Sequence, residues 1–223
     1  VEPARWYMHC DREGILVWQD LPSPNLPSGH EDFAKKTFQE ESVRIIEAFR
    51  NHPSIIQWIV FNEGWGQFDT ERMTQIVQGV VGQTLVCCAS GWNDADIGDI
   101  KDSHSYPDPS CPLDRNRAAV CGEYGGITLK VQGHVWPGGD FQYTTVETGG
   151  DFTVLFNRLA DKIKDYYYYG LNAAVYTQLS DVEIERNGIL TYDRRVLKPY
   201  SATGELKAKI EECINMPRSG VKV

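Results

Sequence analysis

The sequence predicts an α/β fold built on a parallel sheet, and three observations carry that prediction. Short apolar runs recur along the chain without alternating polar residues, as strands buried on both faces do. Between them stand stretches with apolar residues at i, i+3, i+4 and i+7, the stripe of an amphipathic helix. The two kinds of segment alternate, strand then helix, an order that calls for crossover connections and parallel pairing.

EPARWYMHCDREG (2–14) reads as a helix running into Gly14, and GILVWQD (14–20) as the first strand. Residues 31–50 form a second helix by spacing, followed by the strand SIIQWIVF (54–61). DTERMTQIVQGVVG (69–82) places Met73, Ile76, Val77 and Val80 on one stripe, with Asp69 as the N-cap. TLVCCAS (84–90), the less apolar IKDSHSY (100–106) and AAVCGE (118–123) are the next strands. FTVLFNRLADKIKDYYYYG (152–170) puts Leu155, Leu159, Ile163 and Tyr166 on one stripe, and Gly170 suits the C′ position. The four tyrosines at 166–169 read as core and rim of that helix rather than as a binding box. NAAVYTQL (172–179) is the last strand, and 203–215 the last helix.

The opening helix places residue 1 partway through a repeating βα series. The sheet is expected to be open or closed; six strands are countable where a closed (β/α)8 barrel needs eight, so a TIM-barrel type chain would be a partial barrel of about six strands lacking the first two. Apolar side chains of 14–20 and 172–179 would then face a gap. A homodimer covering the open side, or residues 1–20 or 200–223 folded across it, would bury them.

The 223 residues, 41% hydrophobic and 11% aromatic, fit one domain, with no linker, repeat or low-complexity tract to divide them. Twenty-two basic against 31 acidic residues give a net charge of −9, and no basic stripe is visible. That balance argues against nucleic acid and anionic membranes as partners. No apolar stretch approaches the roughly 18–20 residues that span a bilayer. The chain opens on Val-Glu-Pro, so a signal peptide is expected to be absent or already removed. Of the six cysteines (Cys10, Cys87, Cys88, Cys111, Cys121, Cys213), none forms a C-x-x-C pair, which argues against a zinc site. Cys87, Cys88 and Cys121 lie in apolar runs, as small buried hydrophobes. No disulfide framework and no cofactor are expected. A reducing, cytoplasmic setting is favoured, with secretion open if a leader was removed.

Two carboxylates stand out by position. Glu63 follows the strand 54–61, and Glu123 follows the apolar strand 118–121 in the same way, inside VCGEYGG. In parallel α/β folds the carboxyl ends of the strands face one crevice, so both are expected to project into it. Paired carboxyl groups suit glycoside hydrolysis: one protonates the leaving oxygen, the other attacks the anomeric carbon or activates water. A strand-end Glu can equally cap a helix or pair with an Arg. Asp20, Asp94, Asp102 and Asp181 also lie near strand ends, so spacing alone does not select the pair.

The wording around them does. RNHPSIIQWIVFNEGWG (50–66) resembles the acid/base signature of glycoside hydrolase family 2, in which a strand ends in Asn-Glu. The resemblance continues in order along the chain. EPARWYMHCDREGILVWQD is similar to the family's helix and third barrel strand. ASGWND and DSHSYPDP resemble its fifth and sixth strand regions, and CGEYGG its seventh. AAVYTQLSDVEIERNGILTYDRRVLKP resembles its eighth strand and the loop after it.

The resemblance implies a retaining, exo-acting β-glycosidase with Glu63 as general acid/base and Glu123 as nucleophile, and a carbohydrate as its partner. Retention calls for carboxyl groups about 5–5.5 Å apart. Asn62 would hydrogen-bond the sugar 2-hydroxyl, and Tyr124 or another nearby aromatic hydroxyl would orient the nucleophile. His104 and Tyr106 fall where the family places sugar contacts. Trp65, Trp92 and Trp136 sit in Gly-, Asn- and Pro-rich loops, where an aromatic face stacks on a sugar or anchors packing. The Gly-rich stretch from Tyr124 to Gly150 is read as a wall or lid of the pocket. The Asn-x-Lys element associated with glucuronidases is not found in RNGILTYDRR, so the reading leans to a β-galactoside, with β-mannoside and β-glucoside open. The family's preceding β-sandwich domains and first two barrel strands have no counterpart here. A non-catalytic sugar-binding fragment is the second reading. An esterase is the third, and it lacks a G-x-S-x-G elbow, a pattern that Ser90 fits poorly.

Overall fold

The structure, a computed structural model, describes residues 1–24, 26–139, 141–199 and 205–216. In chain order the elements are α1 (Ala4–Glu13), β1 (Val17–Asp20), α2 (Glu31–Phe49), β2 (Ile55–Asn62), α3 (Thr70–Val81), β3 (Leu85–Ser90), β4 (Ile100–Ser105), β5 (Ala118–Gly125), β6 (Ile127–Thr128), β7 (Thr144–Thr145), α4 (Gly149–Tyr169), β8 (Leu171–Thr177) and α5 (Glu205–Ile214). All six predicted strands and all five predicted helices form, within a few residues of the expected ends. Residues 203 and 204 of the last predicted helix lie outside the described residues, as do 200–202 and 217–223 of the segment expected to cover the barrel. The chain falls into two compact units: Val1–Asp102 with Asp114–Ala118, and Ser103–Leu113 with the chain from Ala119 onward.

In the first unit β1, β2 and β3 make a parallel sheet in that order. β2 is its centre, and its apolar run is needed on both faces: Trp58, Ile59, Val60 and Phe61 are all buried. α1, α2 and α3 supply Tyr7, Phe38, Ile46, Met73 and Val77 to the same core. α1 stops where Gly14 turns left-handed (φ 73°) and returns its N–H to the Cys10 carbonyl, the αL ending that glycine makes without a Cβ penalty. Asp11, on the last turn of α1, accepts from the Ser54 N–H at 2.9 Å and lies 2.6 Å from His52 Nδ1, which fixes the entry to β2. Asp69 stands at the N-cap of α3, but its backbone is left-handed (φ 40°) and its side chain makes no cap hydrogen bond. Asp69 thus holds the expected position without performing the expected function.

The sheet β4-β5-β8, with β5 and β8 parallel, has β8, nearly all of β5 and the Ser103–Ser105 end of β4 in the second unit, which also holds the short parallel pair β6-β7. α4 packs Phe152, Phe156 and Leu159 against Cys121, Tyr124, Ile127 and Leu171. Its stripe includes the predicted Leu155, Ile163 and Tyr166, all partly buried. The helix starts three residues earlier than expected because Thr148 and Asp151 form a reciprocal capping box. Tyr168 and Tyr169 are largely exposed, so only the first half of the tyrosine run contributes to packing. The stretch from Tyr124 to Gly150, read from the sequence as a wall or lid, contains β6 and β7 and the start of α4.

Ile15 and Leu16 beside β1, and Val175 and Leu179 on and after β8, are exposed apolar side chains, and β1 and β8 are edge strands of their sheets. The six cysteines are free thiols, and Cys87, Cys88 and Cys121 are buried. Among the described residues no helix is long and apolar enough to cross a membrane.

Burial leaves a mark that can be measured. Desolvation holds the phenols of Tyr7, Tyr124 and Tyr176 above their ordinary value, about 10 for a solvated tyrosine. A raised value means the unfolded chain loses its phenolic protons first as pH rises. The stability these groups contribute is therefore complete below about pH 10 and is lost above it, toward the folded-state values. The absorbance change at 295 nm is expected to fall short of all eleven tyrosines about one pH unit above that value. The remainder should appear only together with the loss of circular dichroism. Complete tyrosinate formation in an intact fold would contradict this burial.

Candidate active site

Four of the strand-end acids can now be sorted by their partners. Asp94 takes a two-pronged contact from Arg117 (2.8 and 2.9 Å) and a hydrogen bond from Lys101. Burial opposes its charge, yet the hydrogen bonds from Arg117 and Lys101 prevail and hold it well below the usual carboxylate range. Asp102, buried, accepts from Ser90 Oγ at 2.7 Å. Asp181 is buried against Lys198 Nζ at 2.5 Å, and burial pushes its carboxyl up and the Lys198 amine down. These three are framework acids. Asp20, at the end of β1, is exposed.

In the first unit β2 ends at Asn62, and Glu63 then turns left-handed (φ 52°), followed by Gly64 at φ 75°. A non-glycine residue held there costs about 1–3 kcal/mol and persists only where its surroundings over-determine it. Here they do. The Glu63 N–H donates to the Ser90 carbonyl at 3.0 Å, and its carbonyl accepts from Trp92 Nε1 at 3.0 Å. The Trp65 N–H donates to the Asn62 carbonyl at 3.0 Å, which tightens the same turn. A Cβ at Gly64 would stand 2.2 Å from Asn93 Nδ2 and push that side chain aside, and the positive φ would strain any other residue there. Asn62 and Glu63 are half-buried, whereas the rings of Trp65 and Trp92 are 66% and 48% exposed. Trp92 thus anchors the Glu63 turn by its N–H and still offers a face to solvent.

In the second unit Glu123 lies near the end of β5, where the pairing with β8 is irregular. Cys121 faces Ala174 and Tyr124 faces Tyr176, so three steps on β5 match two on β8. A bulge of this kind re-aims one side chain out of the ladder. Here it falls at Gly122-Glu123. The Tyr106 hydroxyl donates to Glu123 Oε2 and lies 3.1 Å from Thr177 Oγ1. Burial and the Glu123 carboxylate together raise the Tyr106 phenol far above its ordinary value, so it stays a donor. His104, its side chain fully buried, places Nδ1 3.7 Å from Glu123 Oε1.

Tyr124 is 8% exposed and packs edge-on to Tyr176 in the core, and the hydroxyl that meets Glu123 is that of Tyr106. Trp136, 42% exposed, packs edge-on to Tyr192, and its carbonyl accepts from Arg186 at 3.0 Å. The loop carrying it is tied down further by His134 Nδ1, 2.7 Å from Asp193. Tyr143 stacks face to face on Tyr106, and no periodicity or motif in the sequence singles it out.

The model of the family described as "Glycosyl hydrolases family 2, TIM barrel domain" matches residues 2–215. Among solved structures, a β-galacturonidase of that family from Eisenbergiella tayi, bound to galacturonate, is similar at 16% identity with a TM-score of 0.66. The match covers 92% of this chain and 42% of that one. A β-galacturonidase of that family from the same organism, bound to glycerol, gives 13% identity and a TM-score of 0.70, over 98% and 44% of the two chains. A Faecalibacterium prausnitzii β-glucuronidase gives 17% and 0.64, over 97% and 42%. The chain thus spans less than half the length of these relatives. No curated protein matches it. At these identities the structural likeness speaks for the fold alone, while the family match runs over nearly the whole sequence. This chain, an α/β chain of the TIM-barrel type, belongs to glycoside hydrolase family 2.

Proposed function

We propose that the chain is the catalytic part of a retaining, exo-acting β-glycosidase, with Glu123 as nucleophile and Glu63 as general acid/base. The observation that carries the reading is the Tyr106 hydrogen bond to Glu123. A nucleophilic carboxylate must be charged, and a donor on its oxygen favours the charged form. Glu63 is supported by its strained turn at the end of β2, a conformation found where function holds the backbone in place.

In the first step the Glu123 carboxylate attacks the anomeric carbon while the Glu63 carboxyl gives its proton to the departing oxygen. The aglycone leaves as an alcohol, and the sugar stays esterified to Glu123. In the second step the Glu63 carboxylate takes a proton from water, whose oxygen attacks the same carbon. The ester breaks, and the sugar leaves with its β-configuration restored. Asn62 bonds the 2-hydroxyl, the exposed faces of Trp65, Trp92 and Trp136 stack on sugar, and Tyr106 completes the contacts, while His104, its side chain fully buried, faces Glu123 instead. Tyr124, in the core, is left out of the sugar contacts.

The sugar proposed is a β-galactoside. The three relatives named above act on galacturonides and glucuronides, so uronides are the comparison that matters. An esterase reading is disfavoured, since Ser90 is 3% exposed and its hydroxyl is bonded to Asp102.

The test is a panel of nitrophenyl β-glycosides (galactoside, glucoside, mannoside, glucuronide, galacturonide) with a nitrophenyl ester beside it. The anomer first released is read by proton NMR. Fastest turnover on the galactoside with the β-anomer first is expected. The α-anomer first would rule out retention. Sugar binding by calorimetry with no turnover would favour a binding fragment.

A further inference from the structure

Tyr143 lies in a loop of the second unit, yet its position is determined from both sides. Just before it, the Phe141 N–H donates to the Ile184 carbonyl at 3.4 Å, and Phe141 bridges Glu185. Just after it, β7 pairs with β6 in the register Ile127–Thr144, and the Thr144 N–H donates to the Gly126 carbonyl at 3.4 Å. That register sets Tyr143 beside Gly126. The ring then lies on Tyr106, with centroids 3.8 Å apart and planes 9° from parallel, while Phe141 braces it edge-on at 5.1 Å. Gly126, at φ 62°, leaves room for both rings, since a Cβ there would meet Tyr143 Cδ2 at 2.6 Å and Tyr106 Cδ1 at 3.0 Å.

We propose that Tyr143 is a positioning residue, whose ring holds the Tyr106 hydroxyl on the Glu123 carboxylate. The proposal rests on the reading of Glu123 as nucleophile. A phenol's oxygen lies on the axis of its ring's own rotation, so it is the first side-chain torsion that swings it by ångströms. A flat neighbour on its face removes that freedom without touching Glu123 itself. Within the second unit the Glu123 carboxylate meets the Tyr106 hydroxyl, itself beside Thr177, and His104. Tyr143 acts on the first of them.

The full chain, labelled with ¹³C at glutamate side-chain carboxyls, allows Glu123 to be titrated by NMR, its signal assigned by Glu123→Gln. Tyr106→Phe removes a donor from the charged form and should raise the Glu123 midpoint by about one pH unit. Tyr143→Ala, and Tyr143→Leu as a bulky but not flat replacement, should raise it by part of that amount. Tyr143→Phe, which keeps the stack, should stay at the parent value. In turnover, the acid limb of kcat/KM should move with the midpoint and kcat fall about tenfold with KM little changed, as when orientation of a reacting group is lost.

An unmoved midpoint in both Tyr143→Ala and Tyr143→Leu, a failure of Tyr143→Phe to rescue, or an unmoved midpoint in Tyr106→Phe would each overturn the proposal. Midpoints that move as expected in a chain that cleaves no glycoside would leave the positioning role standing and remove the glycosidase reading instead.

Discussion

Glu123→Gln is expected to abolish turnover while leaving the fold intact. Glutamine keeps the size of the side chain and an oxygen for the Tyr106 hydroxyl, so the melting temperature should change by no more than a few degrees. What it removes is the charge that attacks the anomeric carbon. Loss of a nucleophile costs about 10⁴-fold or more in kcat, equivalent to about 5.5 kcal/mol of transition-state stabilisation. A second measurement locates the effect. A 2-deoxy-2-fluoro glycoside with an activated leaving group should esterify the wild-type chain at Glu123 and stall there, because the fluorine destabilises the transition state for release. Peptide mapping should find the sugar on the peptide containing Glu123 and find none in the variant. Activity within tenfold of wild type, or the label on another carboxylate, would remove Glu123 from the nucleophile's role.

The strands were legible because burial on both faces leaves one composition, and IIQWIVF in β2 or LVCCAS in β3 has no other use for so many apolar side chains. The helices were legible by their stripes. Helix starts were less so. The Thr148-x-x-Asp151 box that opens α4 is a readable signal, but two glycines inside it suggest a loop. Asp69 has the composition of a cap, while its left-handed backbone turns the side chain away from that task. The two-residue strands β6 and β7 are too short for periodicity to mark them.

At the candidate site, Glu63 and Glu123 were selected by the wording of whole segments, because Asp94, Asp102 and Asp181 occupy comparable places in the series. What separates those acids is their partners: Arg117 lies 23 residues from Asp94, and Lys198 lies 17 residues from Asp181. Such pairings depend on the folded chain. The same holds for Tyr106 on Glu123 and for Tyr143 on Tyr106, 37 residues away and on a loop whose course is set by the β6-β7 register.

Glu63→Ala is expected to separate substrates by their leaving groups. General acid catalysis contributes about 10²–10⁴-fold when the departing oxygen needs a proton, so kcat/KM for alkyl β-glycosides should fall by that amount. A dinitrophenyl glycoside departs as a stable anion and needs no proton, and its kcat/KM should stay within about tenfold of wild type on the same argument. Its kcat should still drop, because water attacking the glycosyl ester on Glu123 has lost the base that takes its proton. Azide is already an anion. It can attack the anomeric carbon without a base, expelling the Glu123 carboxylate, so added azide should restore kcat on the activated substrate and yield the β-glycosyl azide. The alanine side chain also vacates the space that a small anion must enter. Equal losses on alkyl and dinitrophenyl substrates, with no azide product, would show that the Glu63 turn serves the fold of the β2 end and not the proton.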